Sequence, residues 1–297
     1  MAAIKQDQSG ISGFTLIELI MVIVLIGALS SVASVFIAGP VSGFLDTNRR
    51  AELVDIAETA LQRMTREIHD ALPNSVRISN NGTQFAVEYL STLTGGRYRD
   101  LQATGGGSNR LNFNAASDIF DILGGLPDFG LVDAVGGSGQ AACLNNTVDC
   151  LVIYNTGTSA TDFNAYNGDN IAAITAVSNI SMTFDNSGTP GWRFPARSPS
   201  NRFFVVDTPV SFVCDSSTGE VLMYQNYSIM ASQPVAAGDF GVAGAVLADK
   251  VSDCGASTFL YNAGAGVRYG LVVIRLTVSD AGEDVSLLQQ AHVLNAP

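Results

Sequence analysis

From Phe14 to Ala38 the chain reads FTLIELIMVIVLIGALSSVASVFIA, an apolar run that carries one charge, Glu18, and no proline. As a helix it would be roughly 37 Å long, enough to cross the hydrocarbon core of a bilayer with some tilt. Gly39-Pro40 then interrupts the pattern, and a bend is expected there or at Gly43. Beyond this point the apolar positions narrow to a stripe. Val54, Ala57, Leu61, Met64, Ile68 and Ala71 fall at alternating steps of three and four, with Arg49, Arg50, Glu52, Asp55, Glu58, Arg63, Arg66 and Glu67 mostly off it. This spacing predicts the second half of a long helix, stopped by Pro73 and packed on a sheet.

After Pro73 the period becomes that of strands. Gln84 to Thr92, Cys150 to Asn155, Ile180 to Asp185, Arg202 to Cys214, Glu220 to Ile229, Gly270 to Ser279 and Asp284 to Asn295 read as β. Ser217-Thr218-Gly219 and Asp280-Ala281-Gly282 have turn chemistry, so the last four segments are expected to pair as two antiparallel hairpins. Gly-, Ser- and Asn-rich loops such as Gly105 to Asn109 and Gly136 to Gln140 lie between strands. A helix followed by strands predicts the α+β class, with the long helix laid on an antiparallel sheet and large loops around it.

Composition narrows the function classes. With 297 residues, 47% of them apolar, the chain can bury a sizeable core. A net charge of −12, with no basic run beyond Arg49-Arg50, argues against nucleic acid as a partner, because phosphate neutralisation needs clustered Lys and Arg. The four cysteines, Cys143, Cys150, Cys214 and Cys254, form no C-x-x-C pair and lie far in sequence from both histidines, His69 and His292, which disfavours zinc. Pairing Cys143–Cys150 and Cys214–Cys254 gives each bridge its own loop, with loop-closure stabilisation of roughly 2.5 and about 4 kcal/mol. Four reduced, buried thiols are the alternative, and a membrane segment that delivers the domain to an oxidising compartment favours the disulfides.

Catalytic constellations are missing. Gly105-Gly106-Gly107-Ser108 and Gly136-Gly137-Ser138-Gly139 lack the following Lys-Ser or Lys-Thr of a phosphate cradle and read as solvated loops without a helix start. The stretch Asp162 to Asp169 departs from a calcium loop. Its glycine is one position late, an aromatic stands where an oxygen ligand belongs, and no Glu closes it. His69 reads as a helix-surface residue. No nucleophile and base are paired, so no enzyme activity, cofactor or metal is expected.

Three readings compete for the apolar run. A secretory signal peptide would find a small-x-small cleavage site at Ser31-Val32-Ala33, but the run is long and has an acid near its start. A plain anchor leaves the lone intramembrane carboxylate unexplained. The third reading starts from the junction Gly13-Phe14-Thr15-Leu16-Ile17-Glu18: a short polar leader ending in glycine, an aromatic, and Glu at the fifth apolar position. This resembles the class III signal of type IV prepilins and type II secretion pseudopilins. The resemblance implies that a prepilin peptidase cuts between Gly13 and Phe14 and N-methylates Phe14. It also implies that Glu18 pairs with the N-terminal amine of a neighbouring subunit in a filament. Cleavage would place an ammonium one helical turn from Glu18, and a misplaced subunit would leave a buried charge unpaired. The leader has only Lys5 against Asp7, a weak positive-inside signal. A cytoplasmic N-terminus and a periplasmic C-terminal domain therefore rest on the resemblance.

Further segments carry it on. Arg63-Met64-Thr65-Arg66-Glu67-Ile68 runs into Ala71-Leu72-Pro73-Asn74-Ser75-Val76-Arg77. Val206 to Cys214, Val251-Ser252-Asp253-Cys254, Gly270-Leu271-Val272, Gly282-Glu283 and His292 to Pro297 follow. Together they resemble the minor prepilins of the mannose-sensitive haemagglutinin (MSHA) type IV pilus, in which Cys214 and Cys254 stand where a pair is expected. The implied protein is a low-abundance tip or priming subunit in the bacterial inner membrane and then the pilus. Its partners would be the peptidase, other major and minor pilins and an inner-membrane assembly platform. The implied organisation is a leader at 1–13, a transmembrane and filament-core helix at 14–38, its amphipathic second half at 39–73, and a periplasmic β-rich pilin head at 74–297. Within the head, Leu93 to Asp149 is a candidate subdomain. A J-type minor pseudopilin of type II secretion shares the long helix, the Arg-x-x-Arg pattern near its end and similar size. A tip adhesin is a different class, suggested by Tyr98, Tyr154, Tyr166 and Trp192 among the polar loops. An anchored periplasmic enzyme would need a residue set that the sequence does not offer.

Overall fold

The computed structural model of the chain describes residues 13–104, 106–114, 117–185, 187, 192–263 and 269–295. Most of the leader, Gly105 and the final Ala296-Pro297 lie outside the described residues. The chain divides into two compact units, Met1–Ala51 and Glu52–Pro297.

The first unit holds the beginning of helix α1 (Leu16–Ile68), which runs on through Gly39, Pro40 and Gly43. Proline removes one backbone donor, and the helix continues on both sides of the lost bond. Two hydroxyls bind helix carbonyls around this point, Ser42 Oγ to Gly39 at 2.9 Å and Thr47 Oγ1 to Gly43 at 2.8 Å. From Leu16 to Ala33 the side chains are exposed.

In the second unit the α1 residues Leu53, Ala57, Ala60, Leu61, Met64 and Ile68 are buried. The stripe is close to the predicted one, with Leu53 in place of Val54 and Ala60 added. The helix stops at Ile68, short of Pro73, because the sheet captures the backbone that follows. The Asp70 carbonyl accepts from the Thr92 nitrogen at 2.8 Å and from Thr92 Oγ1 at 2.7 Å, and Leu72 N–H donates to Leu90 at 2.7 Å.

Nine strands form one antiparallel sheet: β1 (Arg77–Asn80), β2 (Gln84–Tyr98), β3 (Ile119–Leu123), β4 (Cys150–Val152), β5 (Ile171–Val177), β6 (Ser181–Asp185), β7 (Arg202–Asp215), β8 (Glu220–Gln225) and β9 (Ala245–Ala248). The second sheet has four: β10 (Val251–Asp253), β11 (Phe259–Asn262), β12 (Tyr269–Asp280) and β13 (Glu283–Leu294), all paired through β12. Residues of α1 such as Leu61 and Met64 share a core with Tyr89 and Phe212 of the first sheet and Ile274 and Leu276 of the second. This is the expected helix-on-sheet packing. Both predicted hairpins are present, β7–β8 and β12–β13.

The two longest strands of the first sheet, β2 and β7, pair from Gln84↔Asp215 to Arg97↔Arg202. Their lower halves belong to the sheet under the helix. Their upper halves close a ring, β2-β3-β6-β5-β4-β7, in which every strand is paired on both sides. Register shifts in β2 between Leu90 and Thr94 sit where the halves meet, and bulges of this kind bend and twist a strand. The ring is filled by Tyr98, Phe120, Met182, Phe184 and Phe203, so it is a small packed barrel and not a channel. Gly96 makes room for one of these: a Cβ there would meet the Phe203 ring at 3.0 Å.

The barrel corrects the expectation for Leu93 to Asp149. That region supplies the end of β2, β3 and a short helix α2 (Gln140–Leu144), and it is completed only by β4 to β7. Helix α2 follows Gly136-Gly137-Ser138-Gly139 directly, where no helix start was expected. Two predicted strands end early, β4 at Val152 and β8 at Gln225; positive φ at nearby Tyr154 (57°) and at Asn226 (61°) takes the chain out of extended geometry.

Candidate functional site

Gly13, Phe14 and Thr15 precede α1, and Thr15 caps it. Its hydroxyl accepts from Glu18 N–H at 3.3 Å, and its carbonyl accepts from the Glu18 and Leu19 nitrogens at 3.1 Å each. Thr15-x-x-Glu18 is thus half of a capping box as well as part of the leader junction, a local signal that the sequence carried and that went unread. Cleavage after Gly13 would leave this cap intact. Phe14 is 81% exposed. The Glu18 carboxylate has no ion-pair partner among the described residues and stands in the first turn, where the helix dipole favours an anion. Leu16–Ala33 is long and apolar enough to cross a membrane by length and composition.

Both disulfides join the expected cysteines. Cys143 of α2 is bridged to Cys150 of β4, with Cα atoms 5.2 Å apart. Cys214 of β7 is bridged to Cys254, which follows β10, across 5.5 Å, so this bond ties the two sheets together.

A buried polar cluster escaped the sequence reading. Across β1 and β2, Arg77 Nε donates to Glu88 Oε2 at 2.7 Å. Tyr227 donates to Glu88 Oε1 at 3.0 Å, and its oxygen lies 2.8 Å from Ser211 Oγ. The remaining guanidinium nitrogens of Arg77 donate to the Met230 and Ala231 carbonyls at 2.7 Å each, and the cation lies 3.6 Å from the centre of the Tyr166 ring. Burial pushes the Glu88 carboxyl up, opposed by Arg77 and Tyr227. Tyr227, Val235 and Phe240 cover this face of the sheet, with Phe240 stacked on Tyr224 at 3.9 Å. The cluster is sealed, so it clamps the loop after β8 to β1 and β2 and offers no access to a ligand.

The remaining candidates are local structure. The His69 ring nitrogen Nδ1 lies 3.0 Å from the His292 carbonyl, to which it donates, on an exposed part of the surface. Among the described residues no three His, Cys, Asp or Glu side chains are grouped to hold a metal. In the stretch 162–169, Asp162 binds Ser159, and Asn164 caps a single 3-10 turn, Ala165–Asn167. Gly139 N–H already donates to Asp185 Oδ2 at 2.9 Å, so the chain's own carboxylate occupies that glycine loop.

Of the four loop aromatics, Tyr98 and Tyr166 are buried core residues. Tyr98 accepts from Ser198 N–H at 3.1 Å, and Tyr166 donates to the Ser75 carbonyl at 3.0 Å. Trp192 and Tyr154 are half-buried. Trp192 stands edge-on to Phe194 at 4.7 Å, and Tyr154 leans on Phe163 at 5.9 Å.

No family model matches the chain, and neither curated proteins nor solved structures give a match.

Proposed function

We propose that the chain is a minor pilin subunit, of the kind represented by MshO, that serves assembly or initiation of an MSHA-like type IV pilus. The observation that carries this reading is the junction at Gly13-Phe14 with Glu18 in the first turn of an exposed apolar helix. An anchor needs only the apolar length. A carboxylate one turn inside it is costly in lipid and needs a partner, which the Phe14 ammonium of a neighbouring subunit would supply. A disulfide-bonded α+β domain beyond the helix fits a head displayed on the oxidising side of the membrane.

The test is co-expression with a prepilin peptidase, followed by intact mass and N-terminal sequencing. The expected product begins at N-methylated Phe14 and has lost Met1 to Gly13. Cleavage near Ala33, or an uncut chain, overturns the reading. Deletion in the native host then separates the two prepilin alternatives: loss of pili supports the pilus subunit, and loss of protein secretion with intact pili supports the J-type pseudopilin.

A further inference from the structure

Among the described residues the longest free sheet edge is β13, which pairs only with β12. It has 12 residues, against 4 each for β1 and β9 at the ends of the first sheet, and it contains neither proline nor lysine, two devices that protect an edge. Bonds on the far side of β12 fix which backbone groups of β13 are unpaired. The Arg275 and Ser279 nitrogens donate to Thr258 and Lys250, at 2.9 and 2.8 Å, toward β11 and β10 and away from β13. Backbone groups alternate between the two sides of a strand, so Ile274, Leu276 and Val278 turn to β13, where they meet Gln289, Leu287 and Val285. Asp284, Ser286, Leu288, Gln290 and His292 therefore turn their N–H and C=O groups outward. The one contact on that side agrees. The His69 ring donates to the His292 carbonyl at 3.0 Å and leaves the second lone pair of that oxygen. No other outward group has a main-chain partner among the described residues.

The side chains of the same residues are exposed on the face turned away from the core, Leu288 by 47%. Laid antiparallel against itself with Leu288 at the centre, the strand sets Asp284 opposite His292, Ser286 opposite Gln290 and Leu288 opposite its own copy. A carboxylate then meets an imidazole N–H, a hydroxyl meets an amide, and an exposed leucine is covered. A slip of one strand by two residues sets Asp284 opposite Gln290 or Leu294 and breaks all of these matches.

We propose that β13 is a self-pairing edge that takes the β13 of a second copy of this chain, antiparallel, about a two-fold axis at Leu288. Such a contact is isologous and continues the second sheet across two molecules, with main-chain bonds for affinity and side-chain matches for register. Thr65 Oγ1 of α1 donates to Gln289 Oε1 at 2.9 Å and His69 reaches His292, so the buried half of the helix runs along β13. The two-fold reverses that half as well, and the copies meet head to head. The pairing needs neither leader cleavage nor any other subunit.

All four cysteines are bridged, so a cysteine introduced on β13 is the only thiol available. The uncut full chain, in detergent, carries Ser286→Cys, Leu288→Cys or Gln290→Cys singly and is treated with a short bis-maleimide. In this register the two copies of position 288 have Cβ atoms ~5 Å apart, whereas positions 286 and 290 lie roughly 14 Å from their own counterparts and face each other. The expected result is about tenfold more cross-linked dimer from Leu288→Cys than from either flanking variant alone, with the yield recovered when those two are mixed. Leu288→Pro removes an outward N–H and no bond to β12, so adding it to the mixed pair should abolish cross-linking with circular dichroism unchanged. If the proline variant misfolds, the cysteine pattern decides alone. No dimer from Leu288→Cys overturns the proposal. So does equal cross-linking of all three single variants, as apolar helices sharing a micelle would give, or cross-linking that survives a folded Leu288→Pro variant.

Discussion

Arg77 and Glu88 face each other across β1 and β2, joined by a 2.7 Å bond, with only 11% and 0% of their side chains exposed. A pair of this kind is not a large net stabiliser, because desolvation offsets most of the attraction. Its consequence lies in what happens when one member is lost.

Arg77→Ala should destabilise the domain by about 3–5 kcal/mol, since it leaves the buried Glu88 carboxylate with the Tyr227 hydroxyl but no counter-charge and frees the Met230 and Ala231 carbonyls. Combining it with Glu88→Gln should recover part of that loss. Denaturant unfolding of the single and double variants checks this; a double variant as unstable as Arg77→Ala would mean that the charge is not the cause.

Asp149 predicts a pH dependence. Burial pushes its carboxyl up to about 6 from an ordinary 3.8, the Asp133 backbone N–H holds it down, and the neighbouring Asp207 and Asp133 charges push it further up. A carboxyl raised in the folded state contributes stability that is fully present below the unfolded value and lost as pH rises through the folded one. Stability from this group should therefore fall between about pH 4 and 6. Asp149→Asn, which keeps an acceptor for Asp133 N–H, should gain about 1–2 kcal/mol at pH 7.5 and little at pH 4. Thermal melts of both proteins at the two pH values decide it.

The disulfides should differ in weight. Cys214–Cys254 spans 40 residues and Cys143–Cys150 spans 7, so removing the first costs about 4 kcal/mol and the second about 2.5 by loop entropy. Paired Cys→Ala variants, unfolded in urea, give the order directly. An equal or reversed loss would point to native-state packing around the short bridge.

Glu18→Ala should leave membrane insertion intact while lowering recovery of the subunit in sheared or detergent-extracted assemblies. The change removes the one charge from the apolar run, so insertion itself can only become easier. Recovery equal to wild type would remove the assembly role of the carboxylate.

Much of this was legible in the sequence, and the exceptions have one cause. The helix stripe, both hairpins and both cysteine pairings are local: the residues that decide them lie within a few turns or one loop of each other. The barrel is not local. Its closure depends on β2 meeting β7 and on short strands such as Ile119–Leu123, whose alternation is too brief to stand out. Glu88 reads as an ordinary outward-facing strand residue, because nothing in its neighbourhood announces that Tyr227 and Phe240 will cover it. Phe163 and Trp192 share a hollow only because two loops converge there, while Tyr98 and Tyr166, equally prominent in sequence, are core.

The continuity of β2 and β7 also sets how the barrel is attached. Thr92 and Val206 are register partners at the foot of the barrel, so everything between them leaves and returns through one rung of a ladder. An insertion of that shape adds length to an existing pair of strands without disturbing the rungs below it. Excised at the same rung, it would leave two chain ends already side by side, ready for a short turn. The barrel is in that sense hung on one rung of the ladder, and Tyr166 pins it a second time, through the Arg77 guanidinium and the Ser75 carbonyl.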